Sequence, residues 1–211
     1  LPKVSLAQQR NLTKAKKDLI KPAPAHADKT FLYFIGFKIL FAICFFQLFT
    51  TIPLYFKEGL HVNEFWIGIV MAMNGVLIAL FEMVIVFKLE GRLPYLRLMT
   101  YGTIIMAFSF FALNIPLFSG LFIAVLSTLM ITLAEMTTMP FMNSWYISRS
   151  TEGNRGQYAA LYIMAWSAAQ VIGSTGGTQI AYAIGFNNLW WITGICCLLT
   201  AIGYNWLLSK R

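Results

Sequence analysis

Residues 65–87 read FWIGIVMAMNGVLIALFEMVIVF, an almost uninterrupted apolar segment with one ionisable side chain, Glu82. The hydrocarbon core of a bilayer is about 30 Å thick, and a helix of about 20 apolar residues crosses it. This segment therefore predicts a transmembrane helix. The composition agrees, because 58% of the 211 residues are hydrophobic and 11% are charged, whereas soluble domains carry about 25% charged residues.

Five further segments satisfy the same rule, and short polar connections separate them. The six predicted spans cover residues 30–56, 65–87, 96–114, 118–142, 158–184 and 189–208. The sequence therefore predicts an all-α polytopic membrane protein, whose direct partner is the lipid bilayer. Residues 1–29 are basic and proline-broken, which is typical of a linker, and residues 30–211 form the predicted six-helix bundle.

The positive charges predict the topology. Fourteen of the 16 lysines and arginines lie at the two ends of the chain or in the connections 88–97 and 143–157. Because basic loops stay on the cytoplasmic side, both termini are predicted to be cytoplasmic, in a plasma or inner cell membrane. The net charge of +8 is then explained by topology, and no nucleic-acid partner is expected. The same topology predicts an aromatic belt of Trp66, Trp190 and Trp191 outside and Trp145 and Trp206 inside.

Ionisable side chains inside a membrane usually face a bundle interior or a water-filled path. Those within the predicted spans are Lys38, Glu82 and Glu135, and they are the candidate proton-coupling or substrate-binding residues. Glu135 shares one helix face with Thr128, Thr132 and Thr138, and this polar stripe predicts that its helix lines a cavity. A carboxyl that exchanges between its neutral and charged forms can carry a proton. The alternative is a structural acid that stays protonated and hydrogen-bonded to a neighbouring helix.

Other polar and aromatic residues are candidates for the wall of this cavity. They are Gln47, Asn74, Thr128, Thr132, Tyr162, Trp166 and Gln170. Lys38 and Gln47 are nine residues apart, about 180° around a helix, so both can face one cavity only if the helix breaks. Pro53 favours such a bend. Lys38 could otherwise snorkel to the inner interface, and Glu82 could pair with Lys38 or form part of a gate. The glycines of 173–177 are typical of a close helix crossing.

The sequence contains no phosphate loop, zinc-ligand spacing, HExxH or GxSxG motif. An enzyme, a metal site and a cofactor are therefore not predicted.

Two segments carry a family resemblance. TLAEMTTMPFMNSW (132–145), followed by RGQYAALYIMAWSAAQVIGSTGG (155–177), resembles helices 10 and 11 of the major facilitator superfamily, and is most similar to its bacterial drug:proton antiporter-like branch. The resemblance implies that the six helices are the C-terminal half of a twelve-helix transporter and form a 3+3 inverted repeat. Residues 1–29 would then join the chain to an N-terminal six-helix half, which would be its partner.

The resemblance also implies a cytoplasmic gate. The loop FKLEGRLPYLR (87–97) keeps the glycine and arginine of the family's loop motif. The implied gate residues are Glu90, Arg92, Arg149, Glu152 and Arg155; the alternative is that these are solvated topology charges.

The predicted function is secondary active transport of a small solute by alternating access, as proton-coupled efflux of drug-like or amphipathic compounds. Glutamates also occur on helix 10 of peptide:proton symporters, so a peptide, sugar or metabolite symporter is an alternative. A non-transporting six-helix scaffold is another.

Overall fold

A computed structural model describes residues 23–115 and 119–210. Most of the predicted linker, residues 1–22, lies outside the described residues. The α-helices are α1 (Lys29–Phe45), α2 (Thr51–Glu58), α3 (Glu64–Leu89), α4 (Tyr95–Ala112), α5 (Gly120–Arg149), α6 (Arg155–Ile184) and α7 (Phe186–Ser209). Short 3-10 helices precede α1 (Ala25–Ala27) and follow it (Phe46–Phe49). The described ranges contain no strand, which confirms the all-α prediction.

Five helical segments are long and apolar enough to cross a membrane. They are Lys29–Phe49, Glu64–Leu89, Tyr95–Ala112, Gly120–Arg149 and Phe186–Ser209. The remaining predicted span corresponds to α6, whose 30 residues reach about 45 Å. Its glycine, serine, threonine and glutamine residues make it less apolar than the other helices. Its assignment as a membrane-spanning helix therefore depends on its length and on its packing against the neighbouring helices.

The first predicted span is broken, as its proline indicated. The α-helix ends at Phe45, a 3-10 helix follows, and Thr50 leaves the helical region with φ −122° and ψ −70°. Pro53 lies in the first turn of α2, where its missing N–H leaves no intrahelical hydrogen bond unmade. The break allows both Lys38 and Gln47 to contact α6, which a continuous helix would prevent.

Two predicted connections are shorter than expected. α5 continues through Arg149 instead of ending at 142, so residues 143–149 are helical. The hydropathy pattern did not predict that these residues are helical because they are polar, although Trp145 among them is fully buried. Gly185, with φ +89°, alone separates α6 from α7, since glycine reaches this backbone region without strain.

Helix packing follows an approximate two-fold relation. α4 packs against α7 in the middle of the bundle; α1 packs against α6 and α7, and correspondingly α5 packs against α3 and α4. Exchanging α1 with α5, α3 with α6 and α4 with α7 therefore maps these contacts onto one another, whereas the contact of α6 with α7 has no equally extensive counterpart between α3 and α4. Of the five apolar spans, α3 has the smallest fraction of its residues buried.

The aromatic-belt prediction is wrong for two tryptophans. Trp145 is fully buried with its ring 4.3 Å from that of Phe34, and Trp190 is fully buried with its ring 6.0 Å from that of Phe110. Both are core residues, because the neighbouring helices cover them. The other three, Trp66, Trp191 and Trp206, are exposed.

The crossing of α1 and α6 depends on Gly173. A Cβ atom at this position would lie 2.8 Å from the Ile43 carbonyl oxygen and 3.1 Å from the Ile43 Cα, and backbone atoms cannot move aside cheaply. We expect Gly173→Ala to destabilise the folded protein by about 1–3 kcal/mol, measured as a lower thermal midpoint in detergent. Gly176→Ala is the matched control, since a Cβ atom at that position would meet nothing within 4 Å. Equal midpoints for the two variants would contradict this account of the crossing.

Candidate transport site

Glu135 lies on α5, half-buried, and its carboxylate is held by α3. Asn74 Nδ2 donates hydrogen bonds to Glu135 Oε2 (3.2 Å) and to Thr132 Oγ1 (3.0 Å). The Thr132 hydroxyl in turn donates to the Thr128 carbonyl oxygen (2.7 Å). Asn74 is 7% exposed, so this acid is fixed by a buried neutral donor and not by a cation.

Glu82 follows Asn74 by eight residues along α3 and is half-buried, within electrostatic range of Glu135. The possible Glu82–Lys38 pair is not formed. Among the described residues, neither Glu82 nor Glu135 lies within salt-bridge distance of a lysine or arginine.

Lys38 on α1 is fully buried, so its side chain does not extend to the surface of the bundle. Its Nζ donates a hydrogen bond to the Tyr162 carbonyl oxygen. The same atom lies 3.5 Å from the centroid of the Tyr162 ring and 5.0 Å from that of the Trp166 ring. The two rings lie one helical turn apart on α6, and cation–π attraction to both holds the ammonium. We call Lys38, Tyr162 and Trp166 the Lys38 cage.

A cavity of about 240 Å³ adjoins the cage. It is lined by Met139, Asn143, Tyr162, Ile163 and Trp166. Glu135, Met139 and Asn143 are spaced by four residues, so they share one stripe of α5. Glu135 therefore lies one turn beyond the cavity along that stripe. The two aromatic residues were predicted from the sequence, whereas Met139, Asn143 and Ile163 were not, although the four-residue spacing from Glu135 could have indicated the first two.

The other predicted lining residues lie elsewhere. Thr128 and Thr132 are fully buried inside the bundle, so the threonine stripe packs against neighbouring helices and does not line this cavity. Gln47 is also buried, where its amide donates to the Gly173 carbonyl oxygen (2.9 Å) and its Oε1 accepts from Thr51 (2.6 Å). Gln170 is exposed on α6, and its role stays a prediction.

The predicted cytoplasmic end is fastened by a group of contacts that we call the latch. Arg149 donates from Nε to Asp28 Oδ2 and from Nη2 to Asp28 Oδ1, both at 3.0 Å, and the Tyr158 hydroxyl donates to Oδ2 at 2.9 Å. Asn154 Nδ2 donates to the Ala23 carbonyl oxygen and Gln157 Oε1 accepts from the Ala25 amide, both at 3.0 Å. The latch ties the entry to α1 to the connection between α5 and α6. Arg149 was predicted as a gate residue, but its partner was assigned to the linker.

The other predicted gate residues lie outside the latch. Glu90 and Arg92 are exposed on either side of Gly91, whose φ of +75° turns the chain after α3. Glu152 and Arg155 are exposed in and after the connection that carries the latch. Their gating role stays a prediction.

Asp28 is also the N-cap of α1, since its side chain accepts a hydrogen bond from the Phe31 amide at 3.1 Å. Partial burial opposes ionisation, but the hydrogen bonds from Phe31, Arg149 and Tyr158 outweigh it and lower the pKa of Asp28 below its usual value. The latch therefore favours a charged carboxylate in the folded state.

The described residues thus combine long apolar helices with two half-buried acids, Glu82 and Glu135, that have no lysine or arginine within salt-bridge distance, as in a membrane protein with ionisable groups inside its bundle. Residues 2–174 match the Major Facilitator Superfamily, and the chain belongs to this family. It is 25% identical, over 194 residues, to a Na(+), Li(+), K(+)/H(+) antiporter of Planococcus maritimus. The alignment covers 85% of this chain and 45% of that protein, so the chain spans less than half of its relative's length. No solved structure matches the chain significantly.

The latch predicts a pH dependence of stability. The pKa of Asp28 is lower in the folded state than the unfolded value of about 3.9, so its charge stabilises the fold above that pH. The contribution is lost as the pH falls through the lowered pKa. We expect Asp28→Asn to lower the free energy of unfolding by about 1–2 kcal/mol at neutral pH. The variant should also lose the part of the acid sensitivity that Asp28 causes, and thermal midpoints measured from pH 7 downward test both expectations.

Glu64→Gln is the control, because Glu64 forms an exposed ion pair with Lys57 at 3.0 Å that contributes little. An Asp28→Asn variant with an unchanged midpoint at neutral pH would refute a stabilising latch.

Proposed function

We propose that this chain is the C-terminal half of a twelve-helix secondary transporter, which exchanges a small amphipathic solute for protons and drives efflux by alternating access. The proposal includes cytoplasmic termini, a plasma or inner cell membrane, and an N-terminal half that completes the site. It is consistent with the family, which is made up of transporters and not of enzymes.

The observation that carries this proposal is the environment of Glu135. Its carboxylate accepts a hydrogen bond from Asn74 and has no basic partner among the described residues. A carboxyl inside a membrane without a fixed counter-charge can take up and release a proton as its access to water changes. The neighbouring cavity offers a place for a solute close enough to respond to that change of charge.

The proposed half-transporter predicts the size of the native polypeptide. The family match and the length of the relative support a protein of about twelve helices, so its mass in native membranes should be about twice the 23.9 kDa of this chain. Intact-mass spectrometry after extraction measures this directly. A native mass of 23.9 kDa would instead favour an assembly of separate six-helix chains.

The proton-coupling role predicts the behaviour of Glu135→Gln. In everted vesicles that contain the full-length protein, adding a naphthalene-based amphipathic probe should release protons, and the variant should reduce this release to the level of empty vesicles. Downhill exchange of the same probe should persist, because glutamine keeps the size and the hydrogen bond to Asn74.

Glu58→Gln applies the same chemical change to an exposed acid at the end of α2 and should leave proton release unchanged. Uphill transport at the wild-type rate in Glu135→Gln would refute the assignment.

A second candidate is exchange of a monovalent metal cation for protons. It is favoured by the relative's described activity and by the oxygen atoms of Glu135 and Thr132, which lie together around the Asn74 amide and are the ligand type that hard cations prefer. In the same vesicles, Na+, Li+ or K+ would then release protons without any organic probe. Proton release by these ions alone would favour this candidate over the amphipathic solute.

A further inference from the structure

We propose that the Lys38 cage is an anion-recognising subsite, which binds a carboxylate or similar anionic group of a solute whose apolar body occupies the adjacent cavity. This inference rests on the proposed function and narrows its substrate to amphipathic anions and zwitterions.

Lys38 has no counter-charge among the described residues. An ammonium has three N–H donors, and the acceptor identified for Lys38 is one backbone carbonyl oxygen. Within residues 23–115 and 119–210, no carboxylate lies within salt-bridge distance of its Nζ. Burying an ion without a partner of opposite charge is costly, and cation–π contacts offset only part of that cost. The cage therefore leaves the ammonium under-stabilised, and an anionic ligand would supply the missing acceptor.

The Lys38 cage lies beside the cavity. Tyr162 and Trp166 contact the ammonium and also line the cavity, so the two rings lie between the charge and the cavity. Lys38 is fully buried, so a ligand reaches its Nζ only when one of these rings moves aside. Met139 and Ile163 offer apolar surface on the other walls. A ligand with an anionic end and an apolar body matches this arrangement.

The positive charge of Lys38 excludes cationic ligands from this subsite. A cationic group about 4 Å from the ammonium would be repelled by it. The same interaction attracts an anion. Glu135 lies one turn beyond the cavity on α5, so a bound anion would also be sensitive to whether that carboxyl carries its proton.

The test uses three probes with the same ring system and different charge: 2-naphthylacetate, 2-naphthaleneethanol and 2-(2-naphthyl)ethylamine. Their binding to the purified full-length protein is measured by isothermal titration calorimetry. We expect the wild type to prefer the anion. Lys38→Met, which keeps an unbranched side chain one atom shorter and removes the charge, should weaken 2-naphthylacetate binding by about tenfold or more and leave binding of the alcohol unchanged. Lys38→Arg, which keeps the charge, should retain most of the anion preference. Lys57→Met removes an exposed lysine and should change nothing.

Equal affinity of the wild type for the three probes would overturn the proposal. This result needs no variant, so the proposal can be tested even if Lys38→Met does not fold. Unchanged anion binding in a folded Lys38→Met would also overturn it. If the anion preference fails while Glu135-dependent proton exchange persists, the subsite is wrong and the proposed function stands. If Lys38→Met loses anion binding while Glu135→Gln still drives uphill transport, the subsite stands and the proton-coupling assignment fails.

Discussion

A polar group inside a bilayer has no water to bind, so the protein must supply its hydrogen-bond partner. Most hydroxyl groups in the spans meet this requirement within their own helix, by donating to a carbonyl oxygen three or four residues earlier; Thr100, Thr103, Thr132, Thr193 and Thr200 do so. Such bonds do not connect helices. Lys38, Gln47 and Asn74 instead bond to a second helix, and they mark the crossings around the candidate site. A few buried groups, among them the Thr128 and Thr138 hydroxyls, have no hydrogen-bond partner among the described residues.

These interhelical polar contacts concentrate at two crossings that the approximate two-fold relation exchanges. Lys38 and Gln47, from α1 and the 3-10 helix after it, bond to backbone carbonyl oxygens of α6, and Asn74 of α3 bonds to Thr132 and Glu135 of α5. The central contact of α4 with α7 is instead largely apolar and aromatic, with Phe110 stacked on Trp190. The fold thus separates the two tasks, because the central contact stabilises the bundle and the two outer crossings hold the ionisable groups.

Hydropathy predicted the helices well because span length follows from bilayer thickness, which does not depend on tertiary contacts. It failed where tertiary contacts decide the structure. The polar turn at 143–149 stays helical because Trp145 packs on Phe34 and Arg149 binds Asp28. The burial of Trp145 and Trp190 could not be predicted from the sequence either, since the sequence does not reveal which helices cover a tryptophan.

The site was predicted in part for the same reason. The rarity of charges in a membrane identified Lys38, Glu82 and Glu135, but helical periodicity could not decide which face of α5 opens to a cavity. The threonine stripe offered the more polar face, yet it is buried: the Thr132 hydroxyl bonds within its own helix, and the Thr128 and Thr138 hydroxyls have no hydrogen-bond partner among the described residues. The face of Met139 and Asn143 is open because α6 packs on α1 and touches α5 only sparsely, which only the tertiary structure reveals.

The separation of Lys38 from Glu135 and Glu82 has a consequence for mechanism. A buried pair of opposite charges would satisfy both partners, and neither would then respond to a proton or a solute. Here the cation is held at the α1–α6 crossing by aromatic rings and a carbonyl oxygen, and the acid is held at the α3–α5 crossing by an amide. Both holding groups are neutral, so in the proposed function each ionisable group would still be able to bind a partner that arrives from outside. The cavity is lined by α5 and α6, one helix from each crossing, so a molecule bound there would contact one helix of each.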